Sequence, residues 1–145
     1  MDLILWRHAD AEPGGFDLDR ELTAKGHDQA ARVAKWLLRR LPEDFDVLAS
    51  PAVRAQQTAA ALKVKAKTVK SLAPGARVGE ILKAAGWPQG KGTVIVVGHQ
   101  PEFGCTAAYV LTGQPSEWRL KKGGLWWFSA ADPVVVKAVL SPDLL

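Results

Sequence analysis

Two short runs narrow the folds open to this chain. Thr93–Gly98 reads TVIVVG, with no charge and five β-branched residues in six positions. Leu3–Trp6, LILW, is as apolar. Neither run alternates between apolar and polar residues, so neither has a face to offer water. Each reads as a strand covered on both sides, and such strands belong to a mostly parallel sheet with helices on both faces. Both runs also stop in the same way: Arg7-His8 follows the first, and Gly98-His99 closes the second.

The rest of the chain fits that frame. Ala9–Leu22 is too acidic and too rich in glycine for a regular element, and Thr23 then reads as the N-cap of a helix through Ala30, Val33, Ala34, Leu37 and Leu38, ended by Pro42. DVLAS, 46–50, is a second short strand. Ser50-Pro51 reads as N-cap and first residue of a helix through AVRAQQTAAALK. KTVKSL offers an edge strand, a short helix spans Val78–Ala85 before Gly86 and Pro88, and another helix runs to Gly113. GLWWFSA and VVVKAVL form a terminal strand pair around an Asp132-Pro133 turn. The expected architecture is a three-layer α/β/α domain spanning residues 1–145, with a mostly parallel central sheet and no large cap.

Composition excludes more than it selects. The 145 residues are 48% hydrophobic and 23% charged, as in an ordinary globular domain. The formal charge of +4 suits anionic partners without choosing among them. Cys105 is the only cysteine, which rules out an intrachain disulfide and a cysteine-based zinc site. No apolar run approaches the ~20 residues that span a bilayer, and no signal-peptide pattern opens the chain, so a cytoplasmic protein without membrane association is expected. Lys63, Lys65, Lys67 and Lys70, with Arg32, Lys35, Arg39 and Arg40, form charge runs. Without a nucleic-acid motif these are solvated faces, and no nucleic-acid partner is expected.

In open α/β sheets, ligands bind beyond the carboxyl ends of the strands. If the two apolar strands are neighbours, His8 and His99 share one crevice there. Arg7 joins them from the first strand, and Arg54, early in the helix after Ser50-Pro51, can reach the same place. One histidine at a strand end is an ordinary hydrogen-bonding residue, and one arginine on a helix is an ordinary surface group. Two imidazoles and two guanidiniums at one rim make a site for a doubly charged oxyanion, because guanidinium forks match phosphate oxygens bidentately. Nearby cations lower the pKa of His8, and a neutral imidazole is a competent nucleophile at phosphorus.

These segments resemble a known family. LWRHADA is similar to the Arg-His-Gly signature of the histidine phosphatase superfamily, the phosphoglycerate-mutase-like enzymes. SPAVRAQQTA is similar to its Ser-Pro-x-x-Arg-Ala-x-Gln-Thr motif, VVGHQP to its second-histidine motif, and LTAKGHDQAARVAKWL to the stretch between. The small size and the closing VLSPDLL resemble the SixA-type phosphohistidine phosphatase branch. The resemblance implies a phosphorylated nucleophile at His8, phosphate-clamping arginines at Arg7 and Arg54, a second catalytic histidine at His99, and no metal or organic cofactor. It leaves Ser50, Gln57 and Thr58 as scaffold and His27 as surface. One position departs: Ala9 stands where the signature has glycine, and a methyl group there hinders the site if the residue needs positive φ or a close phosphate approach.

The choice of substrate turns on a proton donor. Ester-cleaving relatives supply a carboxylic acid to the leaving oxygen, since an alkoxide leaves poorly. Here Asp10 and Glu80 are the candidates, with Glu12, Asp17, Asp19 and Glu102 as further geometric possibilities, and none matches a motif for that acid. A phosphoramidate needs less help, because imidazole is a good leaving group. The leading expectation is removal of phosphate from phosphohistidine on a partner protein domain. The alternatives are a small-molecule phosphomonoesterase on the same site and a phosphate-binding module without turnover.

Overall fold

The computed structural model describes residues 1–145. At its centre, β1 (Asp2–Arg7) and β4 (Thr93–Gly98) run parallel in register, from Asp2 opposite Thr93 to Arg7 opposite Gly98. Beyond β4 lie β2 (Asp46–Ala49) and the two-residue edge strand β3 (Lys67–Thr68), both parallel. On the other side β5 (Leu125–Ser129) and β6 (Val135–Leu140) continue the sheet antiparallel. The order is therefore β3-β2-β4-β1-β5-β6, a mixed sheet with a parallel centre.

Alternation along β1 divides the core. Ile4 and Trp6 enter an apolar cluster with Ala30, Val33 and Leu37 of α1 (Ala24–Leu38) and with Ala55 and Ala59 of α2 (Val53–Ala60). Leu3 and Leu5 enter a second cluster with Ile81 and Ala85 of α3 (Val78–Ala85) and with Phe103 and Ala107 of α4 (Glu102–Thr112). Leu3, Ile4, Leu5 and Trp6 are all fully buried, as an uninterrupted apolar run requires. The three layers are those expected of the sequence. No helix is long and apolar enough to cross a membrane.

The helix ends follow their local chemistry, with one exception. Thr23 caps α1 by accepting the Gly26 N–H at 2.9 Å, and Gly86 and Gly113 close α3 and α4 in the left-handed conformation. Helix α2, expected from Ser50-Pro51, instead starts at Val53 with Ala52 as its N-cap. The Ser50 hydroxyl still accepts a backbone N–H, that of Ala52 at 3.1 Å, but it also bonds His99 and so ties a turn to the site. Arg54 is consequently the second residue of α2, pointing its guanidinium from the helix start.

The first turn of α1 rests on the loop leaving β1. Asp10 C=O accepts the Thr23 N–H at 3.0 Å, and a Cβ on Gly26 would overlap that same carbonyl. Gly26→Ala is therefore expected to cost about 2–3 kcal/mol, in the upper range of overpacking penalties. Urea denaturation would show this as a lower midpoint at unchanged slope.

Candidate active site

The register of β1 and β4 sets the two histidines side by side. His8 extends the ladder by one residue, its N–H donating to the Gly98 carbonyl at 2.9 Å. The imidazole centroids of His8 and His99 lie 5.3 Å apart, with planes inclined by 54°. Both side chains are buried; His8 is 7% and His99 4% exposed.

The hydrogen bonds of His8 determine its tautomer. Nδ1 lies 2.7 Å from the Ala9 carbonyl oxygen, which can only accept, so Nδ1 carries the proton. The lone pair is then on Nε2, and Arg54 Nε donates to that atom at 3.3 Å. Arg54 is itself buried, and its other nitrogens donate to Asp17, Nη1 to the backbone carbonyl at 2.6 Å and Nη2 to Oδ2 at 3.1 Å. Arg7, at the end of β1, donates from Nη1 to the Leu120 carbonyl at 2.7 Å, while its buried Nε has no partner.

The same surroundings keep both imidazoles neutral. Burial pushes the pKa of His8 down to about 4, with Arg54, Arg7 and Arg20 adding to the effect and the Ala9 hydrogen bond opposing it. His99 is pushed down to about 3 by burial first and by His8 and Arg54 next. The sequence suggested the cations as the cause; they contribute, but desolvation is the larger effect.

Supporting contacts fix the shell. Thr58 on α2 takes the Ala9 N–H at 3.0 Å and donates to the Arg54 carbonyl at 2.7 Å, joining the β1 loop to the helix that carries the guanidinium. Ser50 Oγ lies 2.7 Å from His99 Nε2, while His99 Nδ1 is buried without a partner. Gln57 Oε1 accepts the Leu22 N–H at 2.7 Å. Ala9 departs from the glycine of the signature without strain. Its φ is not positive, and its methyl group is fully buried in the apolar cluster on the α1 and α2 face.

The two candidate proton donors sit in different surroundings. Both oxygens of Asp10 are engaged, Oδ1 by Lys122 Nζ at 2.9 Å and Oδ2 by the Thr23 hydroxyl at 2.8 Å. Those bonds, that to Lys122 foremost, hold its pKa below the usual carboxylate range and favour its ionised form. Glu80 is exposed in the first turn of α3. His27 is on the surface, as expected. Sequence reasoning missed that Asp17, noted only as a possible acid, is the carboxylate partner of Arg54. It also missed that Ser50 reaches His99. The serine motif carried that second signal but reads equally well as a helix cap.

Comparison with known proteins identifies the family. The sequence model of the histidine phosphatase superfamily (branch 1) matches residues 3–75. The phosphohistidine phosphatase SixA of Escherichia coli is 32% identical over 124 residues, covering 79% of this chain and 76% of that protein. An uncharacterised protein of Picosynechococcus sp. is 36% identical over 141 residues, covering 86% and 82%. The structure of the protein histidine phosphatase SixA complexed with tungstate superposes with a TM-score of 0.84 at 26% identity, over 99% of each chain. The chain belongs to the histidine phosphatase superfamily. Its sequence and its sheet are similar to those of the SixA proteins, and its chemistry is that of a phosphatase.

Burying two neutral imidazoles makes stability depend on pH. Their folded pKa values lie below the ordinary 6.5, so between pH 6.5 and about 4 the unfolded chain binds more protons and stability rises with pH. The contribution is complete above pH 6.5 and is lost as pH falls toward 4. The unfolding free energy at pH 4.5 should be lower than at pH 7 by about 2–3 kcal/mol for each imidazole, about 5 kcal/mol for the pair, and His99→Gln should remove about half of that loss.

Proposed function

We propose that this phosphatase removes the phosphoryl group from phosphohistidine on a partner protein, through a covalent intermediate on His8. The observation that carries the reading is the His8 tautomer. Nδ1–H is fixed on the Ala9 carbonyl, and the Nε2 lone pair faces the Arg54 guanidinium. A phosphoryl group gripped by Arg54 and Arg7 lies in front of that lone pair.

In the first step His8 Nε2 bonds to phosphorus as the P–N bond of the substrate breaks. The departing imidazole leaves neutral because its other nitrogen is protonated. One P–N bond replaces another, so the step is close to balanced in energy and needs little beyond alignment and charge stabilisation. Water then attacks phosphorus, the P–N bond to His8 breaks, inorganic phosphate leaves, and the water proton passes to phosphate or solvent. In this scheme Ser50 donates its hydroxyl proton to His99 Nε2, leaving His99 Nδ1–H to donate to a phosphoryl oxygen. The Ser50 oxygen is already an acceptor from Ala52, and Nδ1 is the imidazole atom without another partner.

The carboxylates near the site favour a substrate that needs no acid. Asp17, through Arg54 first, and Asp10, through Lys122 first, both have pKa values held below the usual range, so at neutral pH both are anions. A second reading, ester hydrolysis, is favoured by one feature: Glu102 Oε1 accepts the Gly75 N–H at 2.6 Å, while its Oε2 is buried without a partner.

The test compares a phosphohistidine-bearing protein with a panel of phosphate esters, following phosphate release and an acid-labile phosphoenzyme. The phosphohistidine protein should be the faster substrate. His8→Ala should lose the phosphoenzyme and at least about a thousandfold in turnover, whereas Glu102→Gln should change little. Turnover surviving in His8→Ala removes the nucleophile assignment. Ester turnover that exceeds phosphohistidine turnover and collapses in Glu102→Gln establishes the second reading instead.

A further inference from the structure

The histidine pair is deep, and its two sides differ in chemistry. On the Arg7 side lies a cleft of about 580 Å³ whose walls carry six cations, Arg7, Lys25, Arg32, Arg119, Lys121 and Lys122, against one carboxylate, Asp143. Three of the six are engaged by acids: Lys121 by Asp143, Lys122 by Asp10 and Arg32 by Asp28. Lys25 and Arg119 have no such ion pair, and both are exposed. The cleft adjoins the site through the backbone: Gly123 N–H donates to the His8 carbonyl at 3.0 Å, and Arg7 Nη1 to that of Leu120.

On the Arg54 side two apolar side chains stand open among exposed acids. Phe16 is 84% exposed and Leu18 46% exposed, on either side of the Asp17 that holds Arg54. A phenylalanine that open, beside a buried reactive centre, is a surface waiting for apolar contact. A small phosphate compound has no use for it. A protein that presents a phosphorylated side chain into the site would rest on both surfaces at once.

We infer that these two surfaces form the docking face for the phosphohistidine carrier, the Lys25 and Arg119 side receiving acidic residues that flank its histidine and Phe16 receiving an apolar one. The inference rests on the phosphohistidine reading above and names the kind of partner. Charge complementarity of this sort acts chiefly on encounter and is weakened by salt, while an exposed aromatic ring supplies the anchor.

The experiment uses a helical carrier protein phosphorylated on one histidine with phosphoramidate, made with either glutamates or lysines beside that histidine, and free phosphohistidine as the small substrate. Expected for Lys25→Glu with Arg119→Glu is a rise of about tenfold or more in KM for the acidic carrier. Hydrolysis of free phosphohistidine should be unchanged. Phe16→Ser should act in the same way but without altering the salt dependence. The lysine-flanked carrier should be the poorer substrate of the wild type and the better one of the charge-reversed variant. Equal losses on carrier and free phosphohistidine would overturn the inference, as would no loss on the carrier. Binding of a duplex oligonucleotide that is tighter than that of the acidic carrier, and abolished by the charge reversal, would reassign the face to nucleic acid. Binding of the unphosphorylated acidic carrier, titrated at two salt concentrations, reads the docking face independently of turnover. If the wild type hydrolyses no phosphohistidine at all, the substrate reading fails, and this binding arm still decides whether the face selects acidic proteins.

Discussion

The site depends on the register of two parallel strands. Arg7 lies opposite Gly98, and the His8 N–H then bonds the Gly98 carbonyl, so the strand ends are level and each imidazole leaves the sheet at the same height. A shift of one residue would turn every side chain of β1 to the other face and move Trp6 out of its cluster. The register is therefore enforced by the whole core, since β1 contributes to both apolar clusters. The chemistry inherits its geometry from packing that is paid for elsewhere.

Burial gives the same strands an electrostatic role. A histidine at a solvated strand end would be partly protonated near neutral pH, with no lone pair to offer. Here desolvation, assisted by Arg54 and Arg7, removes that proton, and the Ala9 carbonyl selects which nitrogen keeps the remaining one. The cations that favour the neutral imidazole are also suited to receive phosphoryl oxygens, so one set of charges could serve both the nucleophile and the phosphoryl group of the mechanism proposed above.

Most of the layer structure was legible from the amino-acid pattern. Uninterrupted apolar runs read as covered strands, glycines marked the ends of α3 and α4, and Lys67 fitted an edge strand. The start of α2 was misread because Ser50-Pro51 satisfies the rules for a cap and first turn by itself. Its hydroxyl is instead drawn to His99, a contact across 49 residues that no local rule contains. The same limit explains Asp17 and Asp10. In the sequence both are loop acids of equal standing; in three dimensions one meets Arg54 and the other Lys122, and only those partners determine their protonation.

The pairing of Asp17 with Arg54 bears on how the site treats anions. Arg54 directs Nη1 and Nη2 to the Asp17 carbonyl and carboxylate and Nε to His8, so three of its donor directions have partners within the protein. A phosphoryl group that takes bidentate hold of the guanidinium must share those donors or displace the carboxylate, and displacement is opposed only by an ion pair whose acidic member is exposed. Asp17 thus keeps a buried guanidinium neutralised and correctly aimed while remaining replaceable by a more highly charged oxyanion. Because Phe16 and Leu18 belong to the same turn, whatever presses on those apolar side chains also acts on the carboxylate between them.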